Sequence, residues 1–135
     1  VEKITLLTQG GVYLARLDPS KHAEVGKIRP VVVLMGQFVL DVQPASVLIC
    51  PLSSQSYPEC SQLHVALSPR DSLQKDSYAL VEHCLSISVK RLIAPRLAQL
   101  TTKELGLIFI RLRHMCNMDH SDFVIPTSFV PYMRL

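Results

Sequence analysis

A chain of 135 residues with 48 % apolar side chains can bury the core of one domain, which excludes a disordered or low-complexity polypeptide. A net charge of +3 is too small to mark a nucleic-acid partner by itself, and no apolar run approaches the roughly 20 residues of a membrane-spanning helix. The four cysteines, Cys50, Cys60, Cys84 and Cys116, form no C-x-x-C pair and no compact Cys/His cluster, so neither a structural zinc site nor a disulfide framework is expected.

The N-terminus has no charged segment followed by an apolar stretch, so no signal peptide is expected and reduced thiols in the cytoplasm are the simpler reading. "QGGVYLARLDPSK" reads as turn, strand, turn: Gly10 and Gly11 punctuate, residues 12–17 extend, and Asp18-Pro19-Ser20 breaks the run. Residues 19–28 are polar, include His22, Glu24 and Lys27, and read as a loop. "RPVVVLM" follows as a strand opened by Pro30, at a place where a sheet accepts proline. Pro30 also restricts Arg29 to extended backbone angles, which fixes the direction in which the guanidinium leaves the chain.

"FVLDVQPAS" is a connection with some strand at its start, "SVLICPL" is the next strand, and "SSQSYPECSQ" is a long polar loop. "LHVALS" and "SYALVEHCLSIS" are two further short strands separated by the charged stretch "PRDSLQKD". To about residue 92 this is the pattern of a small β-barrel or sandwich. The period then changes. "TTKELGLIFIRLRHMC" places Leu105, Ile108, Phe109, Leu112, Met115 and Cys116 on one helical face, and Thr101 with Glu104 matches a capping box. The predicted class is therefore mostly β with a C-terminal α-helix packed on the barrel. The tail after residue 116 leaves open an extra strand, an arm or disorder.

If residues 29–35 and 46–53 are antiparallel neighbours, joined near Asp41, Arg29 and Ser53 meet at one rim of the sheet. Directly opposed Cα atoms lie roughly 4.5 to 5.5 Å apart. Glu24, His22 and Lys27 belong to the loop feeding that rim. No H-E-x-x-H, G-x-x-x-x-G-K-[ST] or G-x-S-x-G motif is present. A fixed arginine beside a hydroxyl suits a phosphodiester, whose phosphorane gathers negative charge on its oxygens. RNA brings its own nucleophile, the 2′-OH, so such a site needs only orientation, charge stabilisation and a proton acceptor and donor. On spacing alone, a surface Arg–Glu pair at a loop base is the favoured reading.

The chain resembles the MazF/PemK family of type II toxin–antitoxin endoribonucleases over most of its length, from about Gly10 to Cys116. "GGVYLARLDPSKHAEVGKIRPVVVL" resembles the family's first strand, D-P turn, E-x-x-K-x-R-P loop and second strand. "VLICPLSSQ" resembles the third strand with its P-L-[ST]-S-Q end, and "DSYALVEHCLSISVKRL" followed by "LAQLTTKELGLIFIRL" resembles the late strand and helix. The resemblance implies an SH3-like barrel over residues 1–116, with 117–135 an extension of unknown role. It also implies a cytoplasmic homodimer, metal-independent cleavage of single-stranded mRNA without a cofactor, and inhibition by a cognate antitoxin.

By that resemblance Arg29 stabilises charge and donates a proton to the leaving 5′-oxygen, while Ser53 holds the phosphate. Glu24 orients Arg29 or accepts the 2′ proton. Further candidate RNA contacts are Ser54, Gln55 and His83, with Lys21, Lys27 and Lys75 placed by charge to guide the backbone, although solvated surface charge is an equal or better reading of these lysines. His83 stands where relatives often carry glutamine and Leu85 where arginine is common, so the cleaved sequence does not transfer. His22 matches no catalytic position, and His64 and His83 read equally as hydrogen-bonded wall residues on strands. Two other classes stay open: a CcdB-like gyrase poison acting by protein binding, and a barrel that binds nucleic acid or antitoxin without chemistry. Arg29, Ser53 and the absence of tryptophan favour cleavage.

Overall fold

The run Val31-Val32-Val33-Leu34 lacks polar alternation, so a strand made of it must be covered on both faces. That is its position in the computed structural model, which describes residues 6–17 and 27–117. The strands are β1 (Gly11–Arg16), β2 (Ile28–Val33), β3 (Ser46–Ser53), β4 (His64–Leu67), β5 (Ser77–Leu80), β6 (Leu85–Ser88) and β7 (Leu92–Gln99). Two helices accompany them, α1 (Gln37–Leu40) and α2 (Thr102–Met115). Val31 and Val33 join Tyr13, Ala15, Val47 and Ile49 in one apolar cluster. Val32 and Leu34 join Val12, Cys50 and Leu52 in a second, on the opposite face of the same strands.

All strand pairs are antiparallel, and hydrogen bonding runs in the order β4-β5-β3-β2-β1-β7, with β6 also pairing β3. The sheet curls around the second cluster without β4 pairing to β7 among the described residues. Gly10, in the turn just before β1, has φ +82°, and an added Cβ would stand 2.9 Å from Gln99 Nε2. Only glycine suits that turn.

Two segments depart from expectation, and a third carried none. The connection after β2 is the short helix α1, not a strand; Leu40 on its inner side joins the first cluster. "SYALVEHCLSIS" is not one strand: a 3₁₀ turn at Val81–His83 separates β5 from β6, so His83 stands exposed on a turn and not on a strand. "LIAPRLAQ" is a full strand, β7, although Pro95 sits inside it. Its place at the end of the hydrogen-bonding order, with a register shift against β1 between Val12 and Leu14, explains how the sheet tolerates that proline.

Helix α2 begins as expected. Thr101 Oγ1 accepts from the Glu104 backbone N–H at 3.1 Å, and Glu104 Oε1 accepts from the Thr101 N–H at 2.9 Å. Ile108 is fully buried, and Leu105 and Leu112 pack on the same core. Phe109 and Met115 of the expected stripe are instead partly exposed, beside Leu107 and Ile110. Glu104 also pairs with Arg70, tying the helix start to the loop after β4. None of the helices among the described residues is long and apolar enough to cross a membrane. The tail beyond Asn117 lies outside the described residues.

Candidate active site

Strands β2 and β3 pair with Val31 opposite Pro51, Val32 opposite Cys50 and Val33 opposite Ile49. Continuing that register by two residues sets Arg29 opposite Ser53. On the far sides, Arg29 pairs with Ala15 of β1 and Ser53 with Tyr78 of β5, so one row crosses the sheet through both residues. Side chains alternate faces along a strand. Arg29 therefore shares a face with Val31 and Val33, and Ser53 shares it with Ile49 and Pro51. Arg29 and Ser53 are both half-buried at the end of the core and line one depression of about 610 Å³.

That depression also takes in Lys27, Ser54, Gln55 and Lys75. Ser53 Oγ accepts from the Gln55 backbone N–H at 3.1 Å, a short turn that orients the hydroxyl through a lone pair and keeps its proton for donation. Tyr57 donates its hydroxyl to Gln55 Oε1 at 2.9 Å, holding that amide beside the turn. Arg29 and Lys27 line a second depression as well, of about 560 Å³, walled by Tyr57, Cys60, His64, Glu82, His83 and Leu85. Either volume admits a nucleobase, since ligand pockets run from about 300 to 1,000 Å³.

The remaining candidates divide. Lys21, His22 and Glu24 lie outside the described residues. The chain departs at Leu17 and returns at Lys27, whose carbonyl accepts from the Leu17 N–H at 3.1 Å, two residues before Arg29. His83 is exposed at the mouth of the smaller depression. His64 is buried on β4, with Nε2 2.8 and 3.0 Å from the two Glu82 carboxylate oxygens. Burial is the largest influence on the Glu82 carboxyl and raises it, but the hydrogen bond from His64, a backbone hydrogen bond and the neighbouring imidazoles together hold the group below its ordinary value.

Sequence reasoning missed one grouping. Ligating atoms of Cys60, His64 and Glu82 lie within 4.8 Å of one another, so the chain does bring a cysteine and a histidine together in space. The signal was the C-x-x-x-H spacing of residues 60 and 64, but the carboxylate comes from across the β4–β5 hairpin. All four cysteines are free. The thiols of Cys50 and Cys84 are hydrogen-bonded, and that contact together with burial pushes the Cys50 thiol up, keeping it protonated.

A curled antiparallel sheet with a C-terminal helix, carrying an arginine and a serine in register at its rim, defines a MazF-like fold. The chain belongs to the family of PemK-like, MazF-like toxins of type II toxin–antitoxin systems, whose sequence model matches residues 8–116. Among solved structures it is similar to the Mycobacterium tuberculosis toxin MazF-mt6, at 17 % identity and a TM-score of 0.66, covering 81 % of this chain and 98 % of that one. It is also similar to the MazE–MazF structure from Deinococcus radiodurans, at 22 % identity and a TM-score of 0.67, covering 84 % and 98 %. A third is an endoribonuclease in complex with its cognate antitoxin from a mycobacterial species, at 18 % identity and a TM-score of 0.63, covering 86 % and 98 %.

Proposed function

We propose that this toxin is a sequence-specific endoribonuclease that cleaves single-stranded mRNA without a catalytic metal. The observation that carries the reading is the shared face and register of Arg29 and Ser53, which line one depression with Lys27 and Lys75. In the reaction the RNA 2′-oxygen bonds to the adjacent phosphorus while the bond from phosphorus to the 5′-oxygen breaks. The products are a 2′,3′-cyclic phosphate and a 5′-OH end. Arg29 stabilises the charge that builds on the phosphoryl oxygens and gives a proton to the leaving oxygen. Ser53 donates its O–H to a phosphoryl oxygen. Glu24, three residues before Lys27 in the sequence, takes the 2′ proton or orients Arg29.

Lys21 and Lys27 guide the RNA backbone, and Ser54, Gln55 and His83 meet the bases beside the scissile bond. The chain acts as a homodimer held in check by an antitoxin; the antitoxin part of this reading fits the mycobacterial endoribonuclease bound to its cognate antitoxin. The apolar side chains exposed along α2 leave surface for such assembly. The test is incubation of the purified protein with a long unstructured RNA in EDTA, followed by chemical analysis of the fragment ends. Cleavage leaving 2′,3′-cyclic phosphates is the expected result. Intact RNA with gyrase stalled on DNA would overturn the proposal in favour of a gyrase poison.

A further inference from the structure

We propose that Cys60, His64 and Glu82 form a Zn²⁺-binding site in the wall of the smaller depression, which Arg29 also borders, and that this site is not required for phosphodiester cleavage. The three ligating atoms lie within 4.8 Å of one another. Around a tetrahedral zinc with ordinary bond lengths, neighbouring ligand atoms stand about 3.4 to 3.6 Å apart. The 2.8 Å contact between His64 Nε2 and Glu82 Oε2 must therefore open slightly. Cys60 Sγ, within 4.8 Å of both partners, reaches bonding distance by a side-chain rotation. Zinc then takes the place of the proton shared by the imidazole and the carboxylate.

The framework around these atoms is held in place independently of any metal. The His64 side chain is only 5 % exposed, and the Tyr57 ring meets it edge-on at a centroid distance of 6.0 Å. Cys60 ends a 3₁₀ turn whose backbone is pinned on both sides: its N–H donates to the Tyr57 carbonyl at 2.9 Å, and its carbonyl accepts from the Leu63 N–H at 2.8 Å. Glu82 sits in the 3₁₀ turn that follows β5, two residues beyond Leu80, the β5 partner of His64.

The donor set selects the ion. One thiolate, one imidazole and one carboxylate form a borderline-soft group that suits Zn²⁺ and not Mg²⁺ or Ca²⁺, which take oxygen ligands. Three protein ligands leave a fourth position, filled by water or by His83, whose Nε2 is 4.0 Å from Glu82 Oε2. Binding releases the Cys60 thiol proton and ties the segment carrying Tyr57 to the turn carrying His83. This inference does not rest on the ribonuclease reading, because its readouts are metal binding and spectroscopy.

The experiment is titration of the chelator-stripped full chain with Zn²⁺ against a chromophoric chelator, with Co²⁺ as a spectroscopic stand-in. The wild type is expected to bind one equivalent and to give the thiolate-to-cobalt charge-transfer band. Cys60→Ser should abolish that band and weaken Zn²⁺ binding by about 10-fold or more, the scale on which even outer-shell changes act. Glu82→Gln should weaken binding similarly while keeping the band, and Cys116→Ser should change neither. His64 is buried, so the two partly exposed positions carry the test. Absence of stoichiometric binding, or a Cys60→Ser protein with wild-type affinity and spectrum, would overturn the proposal.

Discussion

Removing the Arg29 side chain takes a partly exposed cation from beyond the end of the core, so Arg29→Ala is expected to abolish RNA cleavage while the thermal midpoint hardly moves. A melting curve beside a cleavage assay checks this, and lost stability with preserved turnover would make Arg29 structural. Ser53→Ala removes one donor to the phosphate and should slow cleavage by roughly 10²-fold or more. Single-turnover rates at saturating RNA test it, and unchanged rates would remove Ser53 from the chemistry. Glu104 supplies a different readout. Its pairing with Arg70 holds its carboxyl at about 2, from an ordinary 4.5. A depressed folded-state value means that this stabilisation is complete above pH 4.5 and is lost as pH falls toward 2. Glu104→Gln should therefore be less stable than wild type at pH 7, and the gap should close across that acid window in parallel melts. Arg29 was legible because proline fixes its backbone, and Ser53 because a short connection sets the register. Glu82 was not: it meets His64 from 18 residues away, across a hairpin whose register no local pattern specifies.

At the level of elements, α2 was readable in detail because its start is a local contact between Thr101 and Glu104, three residues apart. Thr101→Ala should cost about 1 kcal/mol of stability. Ile108→Ala, which empties a fully buried site, should cost more, about 2 to 5 kcal/mol. Denaturant titration measures both, and a reversed order would mean that the helix is held by its start and not by its packing. Strand β7 was illegible for the converse reason. Pro95 argues against a strand until one knows that the segment lies at the end of the hydrogen-bonding order, which is a property of the assembled sheet. The break between β5 and β6 is likewise invisible in "SYALVEHCLSIS", whose apolar spacing continues through the turn.

For the whole molecule, a net charge of only +3 is an unremarkable average, but curling of the sheet collects Arg29, Lys27 and Lys75 around one depression. Attraction to a single strand should therefore be local and salt-sensitive, with log affinity falling by about 0.7 per decade of salt for each phosphate neutralised. Lys75→Ala is expected to flatten that slope by about 0.7 with little change in cleavage preference, as binding measured over a salt series would show. Arg29 and Lys27 border both hollows at once. On the proposed reading, a strand laid over this saddle would set the bases flanking the scissile bond on opposite slopes, with that bond at the crest. Under the proposed ribonuclease function the two halves of the recognised word meet different walls, and exchanging His83 for glutamine should rewrite one letter of it and spare those across the divide.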